Sequence, residues 1–176
     1  MAKSLLIAGY SAFDLGIFNE KDPKLSIIKK AIDTRLENYL SDGLEWLIFG
    51  GNLGFEFWVL QEAQKYREDY HLKLSTIFPF KTHGQNWNEA NRAKLQAFKQ
   101  VDFVKYSFDV YESPGQFRAY DQFLIENTDA ALVLYDSENE TKLHFLVDMM
   151  QQWPDYPVEF ITFDDLQNIA ENDFAE

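Results

Sequence analysis

The feature of this sequence that most restricts its fold is a series of six short apolar segments, separated by stretches long enough to hold a helix. Several are continuous apolar runs rather than alternations of apolar and polar residues, which is typical of strands covered on both faces. Strands that alternate with helices build βαβ units, and such units predict a parallel sheet. The six predicted strands are Leu5–Ala8, Trp46–Phe49, Leu74–Phe78, Val101–Val104, Ala130–Tyr135 and Val158–Phe163.

The segments between these strands carry helical patterns. In Lys24–Leu40 the apolar residues recur at helical spacing, Asp22 is the predicted N-cap, and Pro23 is the predicted first residue. The sequence therefore predicts one α/β domain over residues 1–176, with a doubly wound, mostly parallel sheet of about six strands and helices on both faces. The other predicted helices are Phe55–Tyr70, Trp87–Gln100, Pro114–Asn127, Lys142–Trp153 and Asp164–Ala170.

Composition and charge exclude several classes of function. The chain has no cysteine, so disulfides, thiolate nucleophiles and cysteine-based zinc sites are excluded. A formal charge of −13 opposes general binding to nucleic acid. No apolar run approaches the roughly 18 residues that cross a bilayer, and the first residues lack a signal-peptide pattern. We therefore expect a cytoplasmic protein that binds neither nucleic acid nor membrane.

The sharpest local signal is the glycine-rich segment Gly50-Gly51-Asn52-Leu53-Gly54, which follows a predicted strand and opens a predicted helix. Backbone N–H groups and the helix dipole at such a turn favour an anion, and glycine allows a phosphate to approach closely. A purely structural turn remains an equal alternative. The GxGxxG fingerprint is incomplete, because Phe49 stands where its first glycine belongs, and no Walker motif is present. An NAD-dehydrogenase site of the standard kind is thus disfavoured.

Two charged residues near the predicted strand ends are candidates for the same pocket. Glu56 lies in the first turn of the helix after the glycines, where it either stabilises the helix N-terminus or accepts hydrogen bonds from a ligand. Arg118 opens the helix after the fourth strand and supplies local positive charge, unless it is an ordinary surface arginine. The three histidines have no spacing that suits a metal, and no G-x-S-x-G nucleophile motif is present, so we predict no metal site.

The strings GYSAFDLGIF, LEWLIFGGNLGFEFW, NWNEAN, YESPGQF and TDAALVLYD together resemble the YpsA-type bacterial family, in the SLOG branch of Rossmann-like folds. The resemblance covers nearly the whole chain. It implies a nucleotide-type ligand, with Gly50, Gly51 and Gly54 at its phosphate side and Glu56 as the adjacent polar contact. It also implies that Gly9 and Tyr10 form the first-loop wall of the pocket.

This sequence differs from the family pattern at two positions, because Ser11 stands where a basic residue is frequent and Asp121 where an amide is usual. It also departs from the signature of the phosphoribohydrolases within the superfamily. Two residues instead of one separate the glycine pair from the next glycine, and Phe55 replaces a threonine. Inherited catalysis is therefore disfavoured.

The sequence leaves three functions open. The favoured one is non-catalytic binding of a small nucleotide-type ligand in a sensing or regulatory role, and the second is nucleotide hydrolysis with Glu56 as acid or base. The third is a protein-interaction module with a vestigial pocket. In this third function the acidic C-terminal segment would bind a basic protein partner. No lysine or arginine follows Lys142, whereas eight acidic residues do, the last of them Glu176.

Overall fold

One six-stranded sheet, in which every pairing is parallel, forms the centre of the fold. The structure is a computed structural model and describes residues 2–175. The strands are β1 (Ser4–Gly9), β2 (Trp46–Phe49), β3 (Lys73–Phe80), β4 (Phe103–Phe108), β5 (Ala130–Leu134) and β6 (Val158–Ile161). Their order in the sheet is β4-β3-β2-β1-β5-β6. The chain moves outward from β1 to β4, then returns across the sheet to β5, so the order reverses between β1 and β5.

Helices cover both faces of the sheet. They are α1 (Ala12–Leu15), α2 (Pro23–Ser41), α3 (Phe55–Ala63), α4 (Arg67–Tyr70), α5 (Glu89–Lys99), α6 (Gly115–Glu126), α7 (His144–Gln152) and α8 (Phe163–Ala175). Because crossover connections between parallel strands are right-handed, connections that run in opposite directions along the sheet place their helices on opposite faces. The connections that run from β1 to β4 place α2, α3 and α5 on one face, where α8 also packs against α2. The connections to β5 and β6 run in the opposite direction and place α6 and α7 together on the other face.

The predicted fold class is confirmed, and the differences concern the bounds of single elements. The fourth strand begins two residues later than predicted and continues to Phe108. It is one of the two edge strands, so its residues are mostly half-exposed and lack the continuous apolar pattern of the central strands. The predicted helix Phe55–Tyr70 is two helices that separate after Ala63. The short helix α1 lies between the first predicted strand and the first predicted helix, where the sequence pattern predicts no element.

The core lies on both faces of the central strands. The largest fully buried side chains are Phe49 on β2, Phe78 on β3, Phe55 on α3 and Phe98 on α5. Phe49 and Phe98 meet edge-to-face with ring centroids 5.8 Å apart. Strand β5 is buried along its whole length. This apolar layer fixes the register of β1, β2 and β5, whose carboxyl ends meet at one edge of the sheet.

The acidic C-terminal segment is partly neutralised by basic residues of α2. Arg35 forms ion pairs with Glu159 and with Asp165, the latter at 3.6 Å, and Lys30 pairs with Asp173 at 2.6 Å. Part of the acidic charge therefore holds α8 and β6 against α2. Glu176, the last acidic residue of the segment, lies outside the described residues.

The N-cap of α2 offers a direct test of the local structure. The Asp22 carboxylate accepts the Lys24 N–H at 2.9 Å, as the sequence predicts. We expect Asp22→Ala to lower the free energy of unfolding by about 1 kcal/mol, because one N–H of the first turn loses its acceptor. The matched control is Asp42→Ala at the C-cap of the same helix, where we expect no loss. Urea denaturation of both variants measures the difference, and equal stability of the two would contradict the assignment.

Candidate functional site

A cleft of about 740 Å³ opens at the carboxyl ends of β1 and β2, on the side where α6 and α7 pack. The position is expected, because helices leave in opposite directions where the strand order reverses and a crevice opens between them. Of the residues predicted for a ligand site, Gly9, Gly50, Asn52 and Glu56 line this cleft. Its other polar lining residues are Ser11, Asp14, Asn91, Tyr120, Asp121, Thr141 and Lys142.

The glycine turn after β2 holds a carboxylate of the protein itself. Gly50 and Gly51 donate their backbone N–H groups to Glu56 Oε1 at 2.6 and 3.1 Å, and Asn52 Nδ2 donates to Glu56 Oε2 at 2.7 Å. Glu56 is buried. Two N–H groups of the turn thus bind the carboxyl group of Glu56 and are not directed at a ligand.

His83 fixes the same turn from the opposite side. Its Nε2 lies 2.9 Å from the Gly51 carbonyl, and because a carbonyl can only accept, Nε2 carries the proton. The imidazole ring packs between Phe78 and Trp87, with centroid distances of 5.4 and 5.2 Å. Burial lowers the pKa of His83, which favours the neutral ring. Side chains therefore hold both the backbone N–H and the backbone carbonyl of Gly51.

Three glycines of the predicted site are required by close packing. A Cβ at Gly9 would lie 2.5 Å from the Phe55 ring, and one at Gly51 would lie 2.3 Å from the Phe78 ring. Gly54 has φ +93°, and a Cβ there would lie 2.6 Å from backbone atoms of Tyr10 and Ala12. Gly51 and Gly54 do not line the cleft. Because these glycines have no side chain, the turn can pack closely against β1, β3 and the first loop.

Tyr10 is a structural residue beside the cleft and is not among the residues that line it. The resemblance places Tyr10 in the wall of the pocket, and its contact with a ligand stays a prediction. Its hydroxyl accepts the Asp136 N–H at 2.8 Å and donates to the Asn139 carbonyl at 2.7 Å. Its ring packs on Tyr135 and Phe163 with centroid distances of 5.5 and 5.6 Å. Tyr10 thus ties the end of β1 to the loop after β5.

The cleft has more negative than positive charge. Asp14 caps α1 through a reciprocal hydrogen-bonded pair with Ser11, whose N–H it accepts at 3.2 Å. Asp121 on α6 is partly buried and has no hydrogen-bond or ion-pair partner within residues 2–175, and burial raises its pKa to about 6. Lys142 is the single basic residue that lines the cleft within the described chain.

Arg118, predicted to contribute to the site, lies just outside the cleft. It lines a neighbouring groove between α6 and α7, together with Asp121 and Lys142. Asp14, Thr141 and Lys142 line the cleft although no sequence motif marks them as site residues. The available signal for Lys142 was its position, since it opens the predicted helix that follows the fifth strand, next to the reversal of strand order.

Two further features concern metals and membranes. Among residues 2–175, no three histidine, aspartate or glutamate side chains come close enough together to hold a metal ion. Nor does that part of the chain contain a helix with the length and apolar character needed to span a bilayer.

Glycine at position 54 allows a strong test of the packing around the turn. We expect Gly54→Ala to lower the free energy of unfolding by about 3 kcal/mol or more, because a strained φ adds to a clash with backbone that cannot move away. Gly16→Ala is the control: Gly16 also has positive φ, but its Cβ would meet only the end of Lys24 at 3.9 Å. There we expect a loss of about 1 kcal/mol. Similar losses in both variants, measured by chemical denaturation, would contradict this account of Gly54.

Burial of Glu56 predicts a pH-dependent stability. Desolvation raises the pKa of Glu56 to about 7 from 4.5, although its hydrogen bonds with Asn52, Gly50 and Gly51 oppose the shift. Between these values the folded chain retains a proton that the unfolded chain releases, so stability decreases as pH rises from about 4.5 to 7. The expected decrease is about 3 kcal/mol, from roughly 1.4 kcal/mol per pKa unit.

The control for this measurement is Glu56→Gln, which keeps the shape and cannot ionise. Asn52 accommodates it by turning its amide, because its carbonyl then accepts from the glutamine nitrogen. We expect the stability of the wild type relative to Glu56→Gln to fall between pH 4.5 and 7 and to be constant outside that window. A difference that stays flat or rises with pH would show that the hydrogen bonds outweigh burial.

Comparison with known proteins assigns the family. The model of the YpsA family, described as the YspA SLOG family, matches residues 5–166. A UPF0398 protein of Lactococcus lactis subsp. cremoris (strain MG1363) is 60% identical over 168 residues, covering 96% of this chain and 97% of that protein. A UPF0398 protein of Streptococcus thermophilus (strain ATCC BAA-250 / LMG 18311) is 58% identical over 166 residues, covering 94% and 97%. The predicted family is confirmed: this chain belongs to the YpsA family of SLOG proteins.

Proposed function

We propose that this protein binds a small nucleotide-type ligand in the cleft at the carboxyl ends of β1 and β2, and that it acts as a sensor or regulator without turnover. The position of the cleft supports the proposal, because ligands of doubly wound sheets bind where the strand order reverses. Its volume of about 740 Å³ lies in the range of small-molecule sites.

The observation that carries the proposal is the carboxyl group of Asp121. It lines the cleft, is partly buried, and lacks a partner within residues 2–175. A carboxylate in this situation gains most from a ligand that donates hydrogen bonds, since burial has removed part of its hydration. Ribose hydroxyls and the amino groups of bases are donors of this kind.

The distribution of charge suggests the orientation of the ligand. Asp14, Glu56 and Asp121 all line the cleft, and each repels a phosphate. Lys142 lies on the α7 side of the cleft and is its local positive charge. We therefore place the nucleoside against the carboxyl groups and the phosphate toward Lys142. This differs from the orientation implied by the resemblance, which places the phosphate at the glycine turn.

Hydrolysis of a nucleotide is the second candidate, and one observation favours it. A buried glutamate whose pKa is raised to about 7 has the acidity that suits a general acid or base at neutral pH. Both oxygens of Glu56 also accept hydrogen bonds from the turn, however, so a change in its charge would change the strength of the bonds that hold the turn. Nucleotide turnover by the wild type that disappears in Glu56→Gln would favour the hydrolase.

Replacement of Asp121 tests the binding proposal. We expect the wild type to bind AMP, and Asp121→Asn to weaken that binding by about 1–2 kcal/mol, because the loss of a charged hydrogen-bond acceptor costs about that much. Isothermal titration calorimetry measures both dissociation constants. The control is Glu126→Gln on the same helix, an exposed position outside the cleft, where we expect unchanged affinity.

Two outcomes would contradict the proposal. Equal affinity of Asp121→Asn and the wild type would remove Asp121 from the site. No heat of binding and no thermal stabilisation with AMP, ADP-ribose or other nucleotides would favour the interaction module with a vestigial pocket.

A further inference from the structure

The groove that contains Arg118 is continuous with the cleft. It has a volume of about 590 Å³, lies between α6 and α7, and shares Phe117, Asp121 and Lys142 with the cleft. Its remaining lining residues are Pro114, Arg118, Phe145 and Met149. A ligand longer than a mononucleotide can therefore extend from the cleft into the groove past Asp121 and Lys142.

The groove contains two cations that the protein itself does not neutralise. Within residues 2–175, neither Arg118 nor Lys142 forms an ion pair, as is also true of six other basic residues. Because both line the same groove, the groove has a local excess of positive charge in a chain of formal charge −13, and this excess favours an anion. Asp121 is the acidic residue in the groove, and its single negative charge offsets at most one of the two cations.

Aromatic side chains provide the other recognition element of the groove. Phe117 is 48% exposed, yet its ring is held from behind by Phe80 and Tyr111, with centroid distances of 5.5 and 5.9 Å. Phe145, at the beginning of α7, is 63% exposed and lines the same groove. Exposed aromatic faces beside unpaired cations suit a planar ring that carries a phosphate.

We propose that the groove is a second subsite for a planar base, so that the preferred ligand is a dinucleotide: two nucleosides joined by a diphosphate. This inference rests on the proposed nucleotide binding in the cleft. The first nucleoside lies in the cleft against Asp121, and the diphosphate lies at Lys142 and Arg118. The second base packs against Phe117 and Phe145.

Three probes separate these parts by calorimetric titration of the intact chain. AMP tests the cleft alone, ADP-ribose adds a second phosphate and a second ribose, and diadenosine diphosphate adds an adenine base to that second ribose. Because stacking of one base on an aromatic side chain is worth about 1–3 kcal/mol, we expect diadenosine diphosphate to bind about tenfold tighter than ADP-ribose.

The decisive variant is Phe145→Ala, since Phe145 is exposed and its removal leaves the core intact. We expect it to abolish the tenfold preference for diadenosine diphosphate and to leave the affinity for AMP unchanged. The matched control is Phe13→Ala, a 78% exposed phenylalanine outside both the cleft and the groove, which is expected to keep the preference.

The possible failures are distinguishable. Binding of AMP and ADP-ribose without added affinity for diadenosine diphosphate overturns the second subsite and leaves the proposed function standing. A preference that survives in Phe145→Ala also overturns it, because the second base then lies elsewhere. If none of the three nucleotides binds, the proposed function falls and the dinucleotide subsite with it.

Discussion

The architecture of the site depends on the contact between the Glu56 carboxylate and the glycine turn that precedes its own helix. That contact stabilises the turn between β2 and α3, with Gly50, Gly51 and Asn52 as hydrogen-bond donors. The first loop depends on it as well, because the Phe55 N–H donates to the Tyr10 carbonyl at 3.1 Å. Since His83 holds the Gly51 carbonyl, the segment after β3 is joined to the same turn. One buried carboxylate therefore orders the loops that follow three adjacent strands.

A protein that uses its glycine turn in this way leaves ligand recognition to other groups. The anion preference of the turn is already satisfied by Glu56, so a phosphate placed there would meet a carboxylate at short range. Lys142 lines the far side of the cleft and Arg118 lines the adjoining groove, near the starts of α7 and α6. The ligand contacts that we propose therefore lie away from the β2–α3 turn, toward the face of the sheet that α6 and α7 cover.

The fold class could be predicted because the patterns that indicate strands and helices lie within short segments of the sequence. Buried strands and the capped helix α2 follow from short apolar runs and from Asp22-Pro23, which require no knowledge of distant residues. The predicted bounds of β4 differ from the observed ones because the half-exposed residues of this edge strand carry a weaker apolar pattern. At the site, the sequence indicated Glu56 and the glycines, but their mutual hydrogen bonds depend on how the turn folds back. Asp14 and Lys142 join the cleft only through the order of the strands, which no local motif encodes.

The same geometry bears on whether the cleft binds or catalyses. A general acid or base must reach the proton that it transfers, and it must be free to change its protonation state. Glu56 has a suitable pKa, but both of its oxygens accept hydrogen bonds from the turn, and the charge of the carboxyl group changes the strength of these bonds. Repeated gain and loss of the proton would therefore alter contacts that order the loops of the cleft. Asp121, which makes no hydrogen bond or ion pair within residues 2–175, can change its charge without that effect. In the proposed function, Glu56 has the structural role and Asp121 contacts the ligand, and this separation of roles favours binding over turnover.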